Sequence, residues 1–344
     1  MWRWITLDAV SLCSIQAQCG GCPQMSVALD QQRASLVARV ERQLGLPIDD
    51  FIPSPQTTGY RARIELTPGA DGVLGYRAPR SHKPVPVAHC PIARPEINAV
   101  LAQIPAAPKL IQRVALRSNG EDVVLHARVK DKHRHIARTW LEDLQYLDIP
   151  LALNGRGVHG DPTTVLSVGG VTHRLSPATF YQVNLEINAR LVEDVGALVK
   201  SMQPTALLDL FSGAGNLSMP LVASGIQTTL IEAHPTAVKD ARRTAERLSL
   251  SPDIREGRAE HFQAGDAFFD VAILDPPRKG AGSVIDQILL TRPKAVILVS
   301  CNTAALASDL RRAAGHGYSL SQLKLYEMFP HTGHVEAVGL LSSR

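Results

Sequence analysis

The segment Asp209-Leu-Phe-Ser-Gly-Ala-Gly-Asn216 decides the reading of the chain. It opens inside the apolar run that starts at Ala206, a short strand, and leads into an amphipathic stretch ending at Gly225. Gly213 and Gly215 let the backbone turn tightly and come close to a ligand. A dinucleotide fingerprint would place a third glycine where Ser218 stands, which weakens an NAD reading. Beyond this segment, strand and helix alternate. Thr228 to Glu232 reads as a strand, Pro235 to Leu248 as a helix, Phe269 to Leu274 and Ala295 to Val299 as strands, and Thr303 to Ala314 as a helix. Two late strands, Leu320–Tyr326 and Val335–Leu341, can pair antiparallel. This alternation implies an α/β fold with a mostly parallel, doubly wound, Rossmann-like sheet and a C-terminal antiparallel hairpin. Chemistry in such folds lies outside the carboxyl ends of the strands, where Glu232, Asp275 and Cys301 fall.

Upstream the pattern differs. Val27 to Leu44 carries apolar residues at helical spacing, residues 58–90 are β-rich, and Val114–Leu116 with Val123–Val129 reads as a hairpin around Ser118-Asn-Gly. The expected division is an α+β domain over 1–172 and the doubly wound domain over 173–344. The chain has 344 residues, 45% of them hydrophobic, and no apolar run long enough to span a bilayer. The start, Met1 to Ala17, lacks the order of a signal peptide and is read as structure in a cytoplasmic protein. The net charge of +4 is uneven: residues 1–172 hold 19 Lys+Arg against 15 Asp+Glu, whereas 173–344 hold 17 of each. Arg61, Arg63, Arg77, Arg80 and Lys83 form one basic cluster, and Lys130, Lys132, Arg134 and Arg138 another. Such clusters suit a polyanion, although a solvated surface explains charge equally simply. Of five cysteines, Cys13, Cys19, Cys22 and Cys90 lie in the first 90 residues and Cys301 stands alone. That split suggests a metal site and a separate reactive thiol. Spacing alone leaves a structural zinc and a [4Fe–4S] cluster level. A radical S-adenosylmethionine enzyme would need Cys-x3-Cys-x2-Cys, and the first spacing here is x5.

A lone buried cysteine is most often inert. Cys301, however, sits at a strand end before a helix, where the helix N-terminus would favour a thiolate. Carbon 5 of uracil is a poor nucleophile until a thiolate adds to carbon 6. A base must then remove the carbon-5 proton, and Glu336, opening the last strand, can reach the same pocket. Asp275-Pro-Pro is followed by Arg278 rather than the aromatic that amino-group methyltransferases use to stack a base.

Together these stretches resemble a known family. Phe180-Tyr-Gln-Val-Asn184, Asp209-x-Phe-x-Gly-x-Gly215, Ile231-Glu232, Leu274-Asp-Pro-Pro-Arg-Lys-Gly280, Ser300-Cys-Asn302 and His334-Val-Glu336 are similar to the motifs of the bacterial RNA 5-methyluridine methyltransferases, in order and spacing. Gly59-Tyr-Arg-Ala-Arg63 and Cys90-Pro-Ile extend the match forward, toward the iron–sulfur 23S ribosomal RNA branch. The resemblance implies a class I methyltransferase domain and S-adenosylmethionine held by Gln182, Phe211, Glu232 and Asp275. It implies Cys301 as nucleophile, Glu336 as base, and a [4Fe–4S] cluster on Cys13, Cys19, Cys22 and Cys90. The target would be a uridine in RNA, with no membrane and no obligate protein partner. Some family members begin with an OB-like RNA-binding barrel, for which the position of Cys13 leaves no room. Arg258 lies where some relatives carry an Asn near the cofactor. Related 5-methylcytidine enzymes carry a second cysteine beside the fourth-strand proline, which this chain lacks. A transfer RNA enzyme, a small-molecule methyltransferase and a non-catalytic RNA-binding or assembly protein are the alternatives.

Overall fold

The computed structural model describes residues 12–81, 83–263 and 268–343. The expectation for the first eleven residues lies outside them. The larger sheet has eight strands in the order Asp50–Ile52, Tyr318–Tyr326, Glu336–Ser343, Ala295–Ser300, Val271–Leu274, Ala206–Leu210, Gln227–Glu232 and Asp253–Glu256. Glu336–Ser343 runs antiparallel to both its neighbours, and the other pairs are parallel.

Val271–Leu274 and Ala295–Ser300 are buried at every position. A parallel sheet covered on both faces requires such continuous apolar strands. Alternate residues serve opposite cores. Leu208, Ala272 and Val296 pack with the helices Ser283–Leu290 and Thr303–Gly315. Leu207, Val271 and Ile297 pack with the helix Leu185–Ser201. Truncating a large aliphatic side chain in so tight a core costs about 2–5 kcal/mol.

Packing crosses the expected boundary at residue 172 in two places. The helix Leu29–Leu44, ended by Gly45 in a left-handed conformation, buries Leu36 and Val40 in the core of the larger sheet. Asp50–Ile52 then joins that sheet's edge beside Tyr318–Tyr326. An amphipathic helix needs an apolar surface to cover, and this one finds it on the larger sheet, where Gln43 accepts a hydrogen bond from the Thr303 hydroxyl. The cut at 172 also falls inside the two-stranded ribbon Thr164–Val168/Val171–Leu175.

The front sheet has seven strands, in the order Pro84–Pro86, Leu74–Arg77, Arg63–Pro68, Ile111–Ser118, Val123–Val129, Leu151–Leu153 and Arg156–His159. Its inner face packs with the helices Pro95–Leu101 and Arg134–Glu142 into a separate core that includes Cys90. No helix among the described residues is long and apolar enough to cross a membrane.

Candidate active site

The carboxyl ends of the central strands open into a cavity of about 1280 Å3. Gln182, Phe211, Glu232, Asp275, Cys301 and Glu336 all line it. The glycine loop forms one wall. Phe211 adopts φ +62°, a conformation that costs a bulky residue strain and that persists where surrounding structure enforces it. Gly215 is required by space, since a Cβ there would lie 2.5 Å from Met219 Cγ. Glu232 ties this loop to the next strand: its carboxylate accepts from the backbone N–H of Gly213 at 2.9 Å and of His234 at 2.6 Å. Gln182 sits on the segment 176–183, which the buried Asp240 carboxylate anchors by accepting from Ser176 and Thr179. Tyr181 fastens the same segment to the front sheet by donating to the Ser118 carbonyl.

Sheet register brings Cys301 and Glu336 together. Ser300 pairs with Ala337 in the antiparallel ladder, so the next residue of one strand meets the preceding residue of the other. Asn302 caps the following helix through Ala304 N–H and donates its amide to the Arg278 carbonyl at 2.8 Å. The turn that carries Cys301 is thereby tied to the Asp275-Pro-Pro-Arg278 turn.

Electrostatics in the cavity are dominated by buried acids. Desolvation pushes Asp209, fully buried and outside the cavity lining, up to about 7, opposed by the Ser218 hydroxyl. It pushes the Asp275 carboxyl to about 7 as well. Glu336, 3% exposed, is raised well above the usual carboxylate range by burial and then by Asp275, with Arg278 pulling it down. The Cys301 thiol is also raised, by desolvation first and by the Glu336 carboxylate second. The sequence-based expectation of a thiolate favoured by its helix is thus not met by these surroundings. The helix begins two residues later, while burial and a neighbouring carboxylate act directly. Arg278 provides the nearest opposing positive charge. The sequence identified Arg278 only by the aromatic it replaces; its electrostatic place is a product of the fold. Phe329, Phe180, Arg61 and Arg94 also line the cavity. Of these, Phe180 is 63% exposed, an aromatic surface open to a flat partner.

The four remaining cysteines gather beside the front core, Cys90 buried and Cys13 and Cys22 packed against the same cluster. Burial pushes the Cys22 thiol up to about 12, and Cys90, Cys19 and Cys13 add to that push while Arg61 opposes it. Cys90 is pinned by Asn98, which accepts from its N–H and donates to its carbonyl. Tyr76 donates its hydroxyl to Cys90 Sγ at 3.6 Å. Gly20 closes the turn between Cys19 and Cys22 at φ +63°, where a Cβ would overlap Pro79. Among the described residues, no three His, Cys, Asp or Glu side chains are grouped closely enough to hold a single metal ion.

The basic clusters part company. Arg61 and Arg63 reach the main cavity. Arg77 and Lys130 line a second, polar cavity of about 560 Å3 on the outer face of the front sheet, with Arg113, His126 and Arg128. Arg113 and Arg128 stand opposite each other in the strand register. Ala178 belongs to both cavities, so this basic face adjoins the mouth of the first. Arg134 instead pairs with Asp131 of the preceding turn and Arg138 with Glu142, on the exposed side of a helix whose other face packs into the front core.

The model of the tRNA (Uracil-5-)-methyltransferase family matches residues 123–344. The 23S rRNA (uracil(1939)-C(5))-methyltransferase RlmD of Pectobacterium atrosepticum is 30% identical, over 95% of this chain and 79% of that protein. RlmD of Edwardsiella ictaluri is also 30% identical, over 96% of this chain and 81% of its own length. Among solved structures, the Pyrococcus abyssi tRNA (uracil-54, C5)-methyltransferase in complex with S-adenosyl-L-homocysteine shares the fold. It superposes with a TM-score of 0.79 at 24% identity, covering 93% of this chain and 85% of that one. The chain therefore belongs to the tRNA (uracil-5-)-methyltransferase family and is an S-adenosylmethionine-dependent RNA uracil-C5 methyltransferase.

Proposed function

We propose that the protein methylates carbon 5 of one uridine in 23S ribosomal RNA, with Cys301 as covalent nucleophile and Glu336 as the base. The observation that carries this reading is the pairing of a half-buried thiol with a buried carboxylate across one strand register, inside the cavity that the glycine loop lines. Gln182, Phe211, Glu232 and Asp275, which line that cavity, would hold the cofactor. The strained Phe211, the glycine turn and the Glu232 carboxylate at a strand end fit a nucleoside-bearing ligand. Bound S-adenosylmethionine supplies the electrophilic methyl group.

Cys301 adds to carbon 6 as the thiolate, its proton already given up to solvent, and the electron pair of the 5,6 double bond moves into the carbon-4 carbonyl as an enolate. Carbon 5 then takes the methyl group, and the bonding pair leaves with the sulfonium sulfur. Glu336 accepts the carbon-5 proton, the double bond re-forms, and the thiolate departs from carbon 6. A carboxylate raised by burial is a stronger base than an exposed one, which suits Glu336 to this transfer. Arg278 opposes the burial of negative charge on both partners.

In the same reading, Cys13, Cys19, Cys22 and Cys90 hold a [4Fe–4S] cluster. Four thiols in one another's field, with Cys90 pinned by Asn98 and prolines directly after both Cys22 and Cys90, suit an iron–sulfur group. It would cross-link the front domain and take no part in methyl transfer. The basic outer face with Arg113, Arg128 and Lys130 is the surface for RNA phosphates. The 23S assignment rests on what the two RlmD relatives are named to modify.

RNA carrying 5-fluorouridine tests the mechanism, because fluorine cannot leave as a cation. Incubation with cofactor should give a stable protein–RNA adduct in the wild type and none in Cys301→Ser. An adduct that survives Cys301→Ser, or no adduct with ribosomal or transfer RNA, would refute it.

A further inference from the structure

The loop from Glu327 to Val335, which leads into Glu336, is fastened to the thiol-bearing segment. Gln24, two residues after Cys22, donates its backbone N–H to the His331 carbonyl at 3.1 Å. Gln32 lies 3.2 Å from His331 Nδ1 and also donates to the Gln24 and Val27 carbonyls. Tyr60, fully buried, donates its hydroxyl to the Pro330 carbonyl at 3.3 Å. Tyr60 shares a buried cluster with Cys90, and Cys22 packs against the same cluster, which places Tyr60 beside the thiol set. His331 is held at φ +65°, a conformation that surrounding contacts must enforce. The neighbour of these anchored residues is Phe329, which lines the reaction cavity with Cys301 and Glu336 and meets His334 edge-on.

We propose that Tyr60 is a positioning residue for methyl transfer, whose hydroxyl transmits the order of the thiol-bearing segment to the Phe329 wall of the cavity. This rests on the reaction proposed above. Nothing in the sequence marks the link, because Tyr60, Gln24 and Pro330 are joined only by folding. Releasing the Pro330 carbonyl leaves the strained loop free to relax and displaces Phe329 from the uracil's path. Misplacement of that kind slows the chemical step more than it weakens binding of the methyl donor.

Tyr60→Phe in the iron-loaded protein tests this. It should lower kcat about tenfold, leave KM for S-adenosylmethionine within about twofold and leave iron content unchanged. Amide exchange over residues 328–334 should accelerate in the same variant, and also in Gln32→Ala, which removes the second anchor. Exchange at the wild-type rate in both variants, an unchanged kcat, or an activity loss that tracks lost iron would overturn the proposal. The exchange measurement needs no turnover, so it stands apart from the reaction itself. A wild type that methylates no RNA would instead defeat the function proposed above.

Discussion

The cavity at the sheet ends and the thiol set beside the front core are built differently but share one electrostatic logic. In the cavity, the reactive groups stand at strand ends of one rigid sheet, and register alone places Cys301 beside Glu336. In the thiol set, the ligand-type groups come from a short helix, a glycine turn and a distant loop, gathered by Asn98, Tyr76 and the fit of Gly20 against Pro79. Yet burial pushes Asp209, Asp275, Glu336 and Cys22 all toward their neutral forms. Acids pushed toward their neutral forms by burial ionise more readily when a positive charge arrives beside them. In the proposed reading a sulfonium arrives at one place and iron at the other. The lesson is that the same burial can serve catalysis on a rigid sheet and assembly on a gathered loop.

That contrast can be broken by substitutions that should act on one region alone. The largest effect is expected for Glu336→Gln, which keeps shape but removes the base. Methyl transfer should fall about 10²–10⁴-fold, with the covalent RNA adduct accumulating, while the melting temperature and iron content stay at wild-type levels. An unchanged rate in a single-turnover assay would remove Glu336 from the chemistry. Cys22→Ser should do the reverse. Iron content, read by visible absorbance in anaerobically purified protein, should fall, and the melting temperature should drop by about 5 °C or more. A variant with no iron deficit would sink the cluster assignment.

The smallest effect sharpens the shared part of the comparison. Asp209 titrates at about 7 in the folded protein, above the ordinary value near ~3.9 expected in the unfolded chain. Below both values each state is protonated and burial carries no ionic penalty. Between them the folded state holds a proton that the unfolded state has released, so stability falls as pH rises from about 4 to about 7. Asp209→Asn should flatten the melting-temperature profile between about pH 4 and about pH 7. A parallel profile in the variant would show that Asp209 is not the group responsible.

Much of the catalytic half was legible in the sequence because sheet ends leave periodic traces. Apolar runs ending at Glu232, Asp275 and Ser300 marked the strands, and position at their ends brought Glu232, Asp275 and Cys301 to one cavity. The late hairpin was equally readable. What escaped was whatever depends on contacts between distant segments. The helix Leu29–Leu44 and strand Asp50–Ile52 read as part of the front domain, yet they complete the catalytic sheet. The direction of the Cys301 shift escaped too, because sequence shows the helix that follows but not how far the thiol is taken out of water. Phe329 carries no motif, and its place in the cavity follows from anchors at Tyr60 and Gln24.

The central claim is that the methyl group lands on carbon 5 of uracil, and the carbon-5 hydrogen is its direct witness. Ribosomal RNA labelled with tritium at carbon 5 of its uridines, incubated with the protein and methyl-labelled cofactor, gives both products in one assay. One tritium should be released for each methyl incorporated, and neither should appear with Cys301→Ser. Methyl incorporation without tritium release would place the group on another atom and contradict the account.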